Sequence, residues 1–393
     1  MKLSKKLAWI IPALMISTTL FAESNDIADC CDPCPPPPEC DPCYEASQNK
    51  PYEQGYQICK GALPKAYNAP GRIDICDGVD AYVTGSFIYW EALGDQLDLG
   101  MVHLGGSVAT VVDDFQAIKF STEYDPGFKV GLGTHFEHDD WDIYAEYTRI
   151  HMSKQTSYTP STSLSTDFFQ TSWFFIEGSD NTYSFNNISG NIVGDWKKDF
   201  DKVDLELGRS FYLGRKLIAR PYVGGSAHWI DQTYTLDFTY ISMPRNITIK
   251  ADSWAAGVRP GLNLQWIFIS GFRAYSNAAL NLMYARNKVD GNGISNTTEF
   301  TLLRYKKHIL RDVEELVLGL AWGSYFTNDT WHMDISVAYE VQRYSHTNYM
   351  SKYAQMYSSD TSETVSLFEL RSNLMKPGDL YLHGLTVTAR FDF

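Results

Sequence analysis

From Tyr82 onward, apolar and polar residues alternate with a period of two. A strand sends successive side chains to opposite faces, so each run has one apolar and one polar surface. The clearest run ends the chain, in "YLHGLTVTARFDF". Leu385, Val387, Ala389, Phe391 and Phe393 share one face; Thr386, Thr388, Arg390 and Asp392 share the other. Ile335, Val337, Tyr339 and Val341 alternate in the same way with Asp334, Ser336, Glu340 and Gln342. Trp141, Ile143, Ala145 and Tyr147 alternate with Asp142, Tyr144, Glu146 and Thr148. Ten segments carry the pattern, at about 80–91, 115–136, 141–153, 193–212, 216–240, 247–267, 270–287, 307–326, 331–345 and 378–393. The second contains Pro126, where a bend or break is expected.

The connections alternate as well. Short ones are "EHDD" (137–140), "LGR" (213–215), "IS" (269–270) and "TNDT" (327–330). Long ones fall at about 92–114, 154–192, 288–306 and 346–377, with a shorter one near 241–246. With a periplasmic N-terminus, every short turn lies on the periplasmic side and every long loop lies outside. That is the organisation of an all-β, antiparallel transmembrane barrel with an even strand number, here about ten and at most sixteen. Such a sheet must close, because an open edge leaves backbone groups unsatisfied in hydrocarbon. A soluble sandwich also alternates, but several segments exceed the ~5–6 residues usual for soluble strands.

Composition agrees. No segment after residue 22 has the apolar length of a spanning helix, yet aromatic residues make up 14% of the chain, with 25 tyrosines and 10 tryptophans. Tyr and Trp favour membrane interfaces. Residues 1–22 read as a secretory signal peptide: Lys2, Lys5 and Lys6, then an apolar run from Leu7 to Phe21. Its removal takes away three lysines and no acid, shifting the formal charge from −14 to −17. An acidic exported chain is a poor nucleic-acid binder, and no such partner is expected.

Several stretches resemble the major-outer-membrane-protein-like porins of chlamydia-related bacteria and of Legionella. They are "GSFIYWEALGDQLDLG" (85–100), "DPGFKVGLGTHFEHDDWDIYAEYTRIH" (125–151), "DLELGRSFYLGRKLIARPYVGG" (204–225), "LGLAWGSYFTNDTWHMDISVAYE" (318–340) and "GDLYLHGLTVTARFDF" (378–393). The resemblance implies a barrel in the outer-membrane lipid with a proposed pore. It also implies that terminal Phe393 serves as the signal to the barrel-assembly machinery. It brings no catalytic residue.

The polar faces supply candidate pore-lining charges: Asp142 and Glu146, Asp204 and Glu206, then Arg220, Arg259 and Arg273, then Asp334 and Glu340, and Arg390. Grouped by strand they run acidic, basic, acidic. Across an open lumen they would set up a transverse field that tunes selectivity; in a narrow barrel they would pair and fill it. There is no nucleophile elbow and no phosphate loop, so no enzyme and no cofactor are expected. His135, His138 and His151 read as turn and lumen residues, not a metal site.

Residues 23–79 form a cysteine- and proline-rich periplasmic segment ahead of the barrel at 80–393. All seven cysteines lie in it: Cys30, Cys31, Cys34, Cys40, Cys43, Cys59 and Cys76. "CDPC" occurs twice, which first suggests zinc. The spacer "PPPPE" favours an extended stretch that holds the two pairs apart. An odd count leaves a thiol without an internal partner when all are oxidised, which points to intermolecular disulfides. The expected partners are neighbouring copies or other cysteine-rich envelope proteins, and the resemblance implies the same, since chlamydial envelopes look disulfide-stiffened. The functional expectation is a porin for passive diffusion of small solutes within a cross-linked envelope. The alternative is a structural or adhesive barrel with a closed lumen.

Overall fold

The computed structural model describes residues 69–75, 78–104, 115–136, 140–159, 167–171, 176–177, 181–182, 188–240, 243–269, 271–295, 298–350 and 377–393. The expected signal peptide and the seven cysteines lie outside them.

Ten long strands form a ring: β1 Ala81–Gly94, β2 Tyr124–His135, β3 Trp141–Tyr158, β4 Ile188–Arg209, β5 Leu217–Tyr240, β6 in two pieces (Met243–Val258 and Gly261–Ile269), β7 Phe272–Ser295, β8 Thr298–Phe326, β9 Trp331–Asn348 and β10 Gly378–Asp392. Each pairs antiparallel with its chain neighbours. β10 returns to β1, with Tyr82 opposite Asp392 and Gly94 opposite Leu380, and the sheet closes. The closure leaves no edge for hydrocarbon to meet. Both ends of the barrel portion fall on one side, together with the connections from β2 to β3, β4 to β5, β6 to β7 and β8 to β9.

The faces follow the alternation. Leu318, Leu320, Val337, Tyr339 and Leu385 are exposed on the outer surface, and Asp334, Ser336, Glu340 and Thr386 are buried inside. Near the end where β1 begins and β10 finishes, the outer surface carries aromatic pairs, Phe326 stacked on Trp331 at 4.3 Å and Phe272 against Trp322 at 6.5 Å. Such rings sit where hydrocarbon gives way to headgroups.

Three expected boundaries move. The segment at 115–136 breaks at 119–123, and Pro126 lies inside β2 opposite Tyr89. The β2–β3 ladder begins at Gly127, so no β3 partner is lost at the proline. The connections expected at 288–306 and 241–246 are mostly strand. β7 and β8 run on to meet across 296–297, and β5 and β6 meet across 241–242. Hydrophobic alternation fades where lipid ends, but backbone ladders need no lipid to persist. β6 breaks at Arg259–Pro260, where Gly224 and Arg259 exchange backbone bonds of 3.0 and 2.9 Å. Proline has no N–H for the ladder, so an interruption there costs little.

Ahead of β1, Pro70 bridges to Phe211 and the Gly71 N–H donates to the Ser210 carbonyl at 3.0 Å. Arg72 lies 3.5 Å from Asp140 in the β2–β3 turn. Residues 70–72 are thereby held against the connections that follow β2 and β4.

Candidate lumen site

The inward face changes character along the barrel. In the half where β1 begins it is charged. Nine of the ten candidate residues line one cavity of about 250 Å³: Glu146, Asp204, Glu206, Arg220, Arg259, Arg273, Asp334, Glu340 and Arg390. Asp142 sits behind it, buried against Arg220. Lys129, Lys202 and Glu315 complete the lining charges. They share the inward parity of their strands. Lys129, between outward Phe128 and Val130, is legible in the sequence by that rule.

These groups pair rather than set up a field. Arg220 donates from Nε to Asp142 Oδ2 at 2.9 Å and from Nη1 to Glu206 Oε2 at 2.7 Å. Arg259 donates to Glu206 and, at 2.8 Å, to Glu315 Oε2. Lys202 lies 2.5 Å from Glu315 and 2.9 Å from Asp204. Arg273 pairs with Asp334 at 2.5 Å, and Lys129 with Glu340 at 2.8 Å. Arg390 pairs with Asp392 at 2.5 Å and lies 3.7 Å over the Tyr82 ring. The strands carry the charges in the expected acidic–basic–acidic order. The lumen is narrow enough for the guanidiniums of β5 and β6 to reach carboxylates on β3, β4 and β8. Six cations and six carboxylates line the cavity, and Asp142 and Asp392, behind the wall, add two more carboxylates to its ion pairs.

In the other half the inward face is largely apolar, although Lys198, Gln232 and Arg311 are also buried there. Trp90, Ile150, Met152, Phe200, Ile230 and Met283 are buried in one cluster with no or almost no exposure. Leu97 and Leu99, beyond β1, join it, as do Tyr349 and Met350, beyond β9. Arg311 holds this last contribution in place. It is fully buried among neutral partners, and donates from Nε to the Ser345 carbonyl at 3.0 Å and from Nη2 to the His346 carbonyl at 3.1 Å. There the β9–β10 register shifts between Tyr344 and Asn348, and His346 takes a positive φ of 51°. The expected lumen had no such layer. Its signal is present in "SFIYWEAL" (86–93), where Phe87, Ile88, Tyr89 and Trp90 are all apolar and the alternation disappears.

Of the three noted histidines, His135 packs on Tyr82, whereas His151, expected in a turn or the lumen, is exposed on the outward face of β3 between buried Ile150 and Met152 and bonds Asp199 at 2.7 Å; His138 lies outside the described residues. Among the described residues no group of three His, Cys, Asp or Glu is placed to hold a metal. Phe393 is exposed at the end of β10, where its N–H donates to the Ala81 carbonyl at 3.0 Å.

A closed ring with an apolar outer belt and a polar inner wall defines an outer-membrane β-barrel. Residues 82–393 match the family described as the Legionella pneumophila major outer membrane protein precursor, and the chain belongs to that family. It is an outer-membrane protein. Among solved structures, it is similar to the outer membrane protease OmpT from Escherichia coli, at 7% identity and a TM-score of 0.44, over 82% of this chain and 100% of that one. It is also similar to the P. putida toluene transporter TodX, at 12% identity and a TM-score of 0.28, over 81% of this chain and 90% of that one. Ail, the attachment invasion locus protein of Yersinia pestis, aligns at 11% identity and a TM-score of 0.18, over 56% of this chain and 99% of that one. No curated protein matches the chain.

Proposed function

We propose that the protein is a porin for small solutes whose resting lumen is closed by an apolar constriction, with no enzymatic step. One observation supports this above the others: the polar cavity ends at an apolar layer partly roofed by segments between strands. An apolar constriction gates by dewetting. Leu97 and Leu99 follow β1, and Tyr349 and Met350 follow β9, so these side chains can leave the lumen without parting the barrel ladders. In planar bilayers the full chain is expected to show long silent periods with rare openings. The double variant Leu99→Ser/Met350→Ser should raise the open fraction severalfold. If both proteins stay silent and neither lets sugars into liposomes, the lumen is closed in function as well. The second reading, a structural or adhesive barrel, then takes its place; the mutual pairing of the lumen charges favours it.

We also propose that the cysteine-rich segment cross-links the barrel to its neighbours. A tail on a membrane-fixed barrel meets neighbouring tails at high effective concentration. Non-reducing gels of envelopes should show multimers that collapse to monomer on reduction. Deleting residues 30–43 should remove most of them and leave the barrel folded, since β1 begins at Ala81. Monomer alone in the intact protein, with thiols shielded from alkylation by zinc, would count against it.

A further inference from the structure

The ion pairs of the lumen cavity are not equally satisfied. Glu146 on β3 is the weak point. Its side chain keeps 20% of its exposure, and its ion-pair contact, Lys129 Nζ, is 3.6 Å away. That ammonium is held by both oxygens of Glu340, at 2.8 and 3.0 Å. The Tyr144 hydroxyl donates to Glu146 Oε2 at 2.9 Å. Glu146 therefore presents a carboxylate to the cavity with room for another cationic partner. On the same wall two guanidiniums also keep some exposure. They are Arg390 at 25%, on β10, and Arg220 at 14%, on β5. β5 and β10 flank β3 on either side of the ring, two and three strands away. Neutral hydrogen-bonding side chains, Asn263, Gln265 and Asn277, complete the lining.

We propose that this cavity binds small zwitterions, with the ammonium at Glu146 and the carboxylate at Arg220 or Arg390. The physical reason is that each end finds its own partner. A singly charged solute would meet one of the two and bring an uncompensated charge into a confined space, where that is costly. A zwitterion meets one field at each end and changes the total by nothing. A cavity of about 250 Å³ has room for a short aliphatic chain bearing both groups. The site names the solute class of the proposed porin, and rests on that reading only for its consequence in transport.

The test uses a size-matched set of probes, 4-aminobutyrate, butyrate and butylamine, titrated calorimetrically into the full chain refolded in detergent. The zwitterion is expected to bind at least about tenfold more tightly than either singly charged probe. Glu146→Gln should remove that preference and leave butyrate binding unchanged or stronger. Val317→Trp, which fills the cavity from a position outside the ion pairs, should abolish binding of all three while heat-modifiability stays normal. Equal affinities for the three probes, or no binding of 4-aminobutyrate to the unaltered chain, would overturn the proposal whether or not the variants fold. Calorimetry needs no current. Zwitterion binding by a barrel that stays silent in bilayers keeps the site and removes the porin; openings without zwitterion binding do the reverse.

Discussion

Val337→Arg is expected to abolish assembly of the barrel. Val337 sits mid-strand on β9, exposed on the outer surface between Leu320 on β8 and Val387 on β10. The outer belt meets hydrocarbon there, and an arginine at the lipid midplane costs about 2–4 kcal/mol. Ser336, one residue away, faces inward and is buried opposite Thr388. Ser336→Asn should fold, because the inner wall is polar and has hydrogen-bonding neighbours. The band shift on heating reads both outcomes in one gel. Equal tolerance of the two substitutions would sink the assignment of the faces.

Arg259→Met should be at least as damaging, for a different reason. Arg259 is buried between Glu206 and Glu315, with Asp204 3.8 Å from its Nε. Removing one partner of a buried network strands the others, at a cost of about 3–5 kcal/mol. The double variant Arg259→Met/Glu315→Leu should recover much of that loss, because Glu206 keeps Arg220 and Asp204 keeps Lys202. Urea unfolding in lipid vesicles measures all three proteins. A single variant as stable as the unaltered chain would show that these ions are solvated in place. The same network changes what the paired arginines do. Neutralising Arg220, Arg259 and Arg273 together should destabilise the barrel before it changes any selectivity, because each already holds a carboxylate on another strand.

The sequence by itself determined the barrel, its even strand number and the two faces of nearly every strand. Those follow from a local rule: parity along a strand assigns each side chain to lipid or lumen, as Val337 and Ser336 show. Parity also put Arg220, Glu206 and Asp334 inside. It gave no account of which side chains meet, because pairing across the lumen depends on the radius and stagger of the closed ring. Arg220 finds Asp142 and Glu206, which lie 78 and 14 residues away in the chain, only once β3, β4 and β5 are in register. The apolar layer was equally a tertiary matter. Ile88, Phe200 and Met283 lie in separate strands and become one cluster when the sheet closes. The ends of β7 and β8 escaped for the opposite reason: the outer face turns polar there, as at Lys288 and Asp290, so the sequence pattern stops while the backbone ladder goes on.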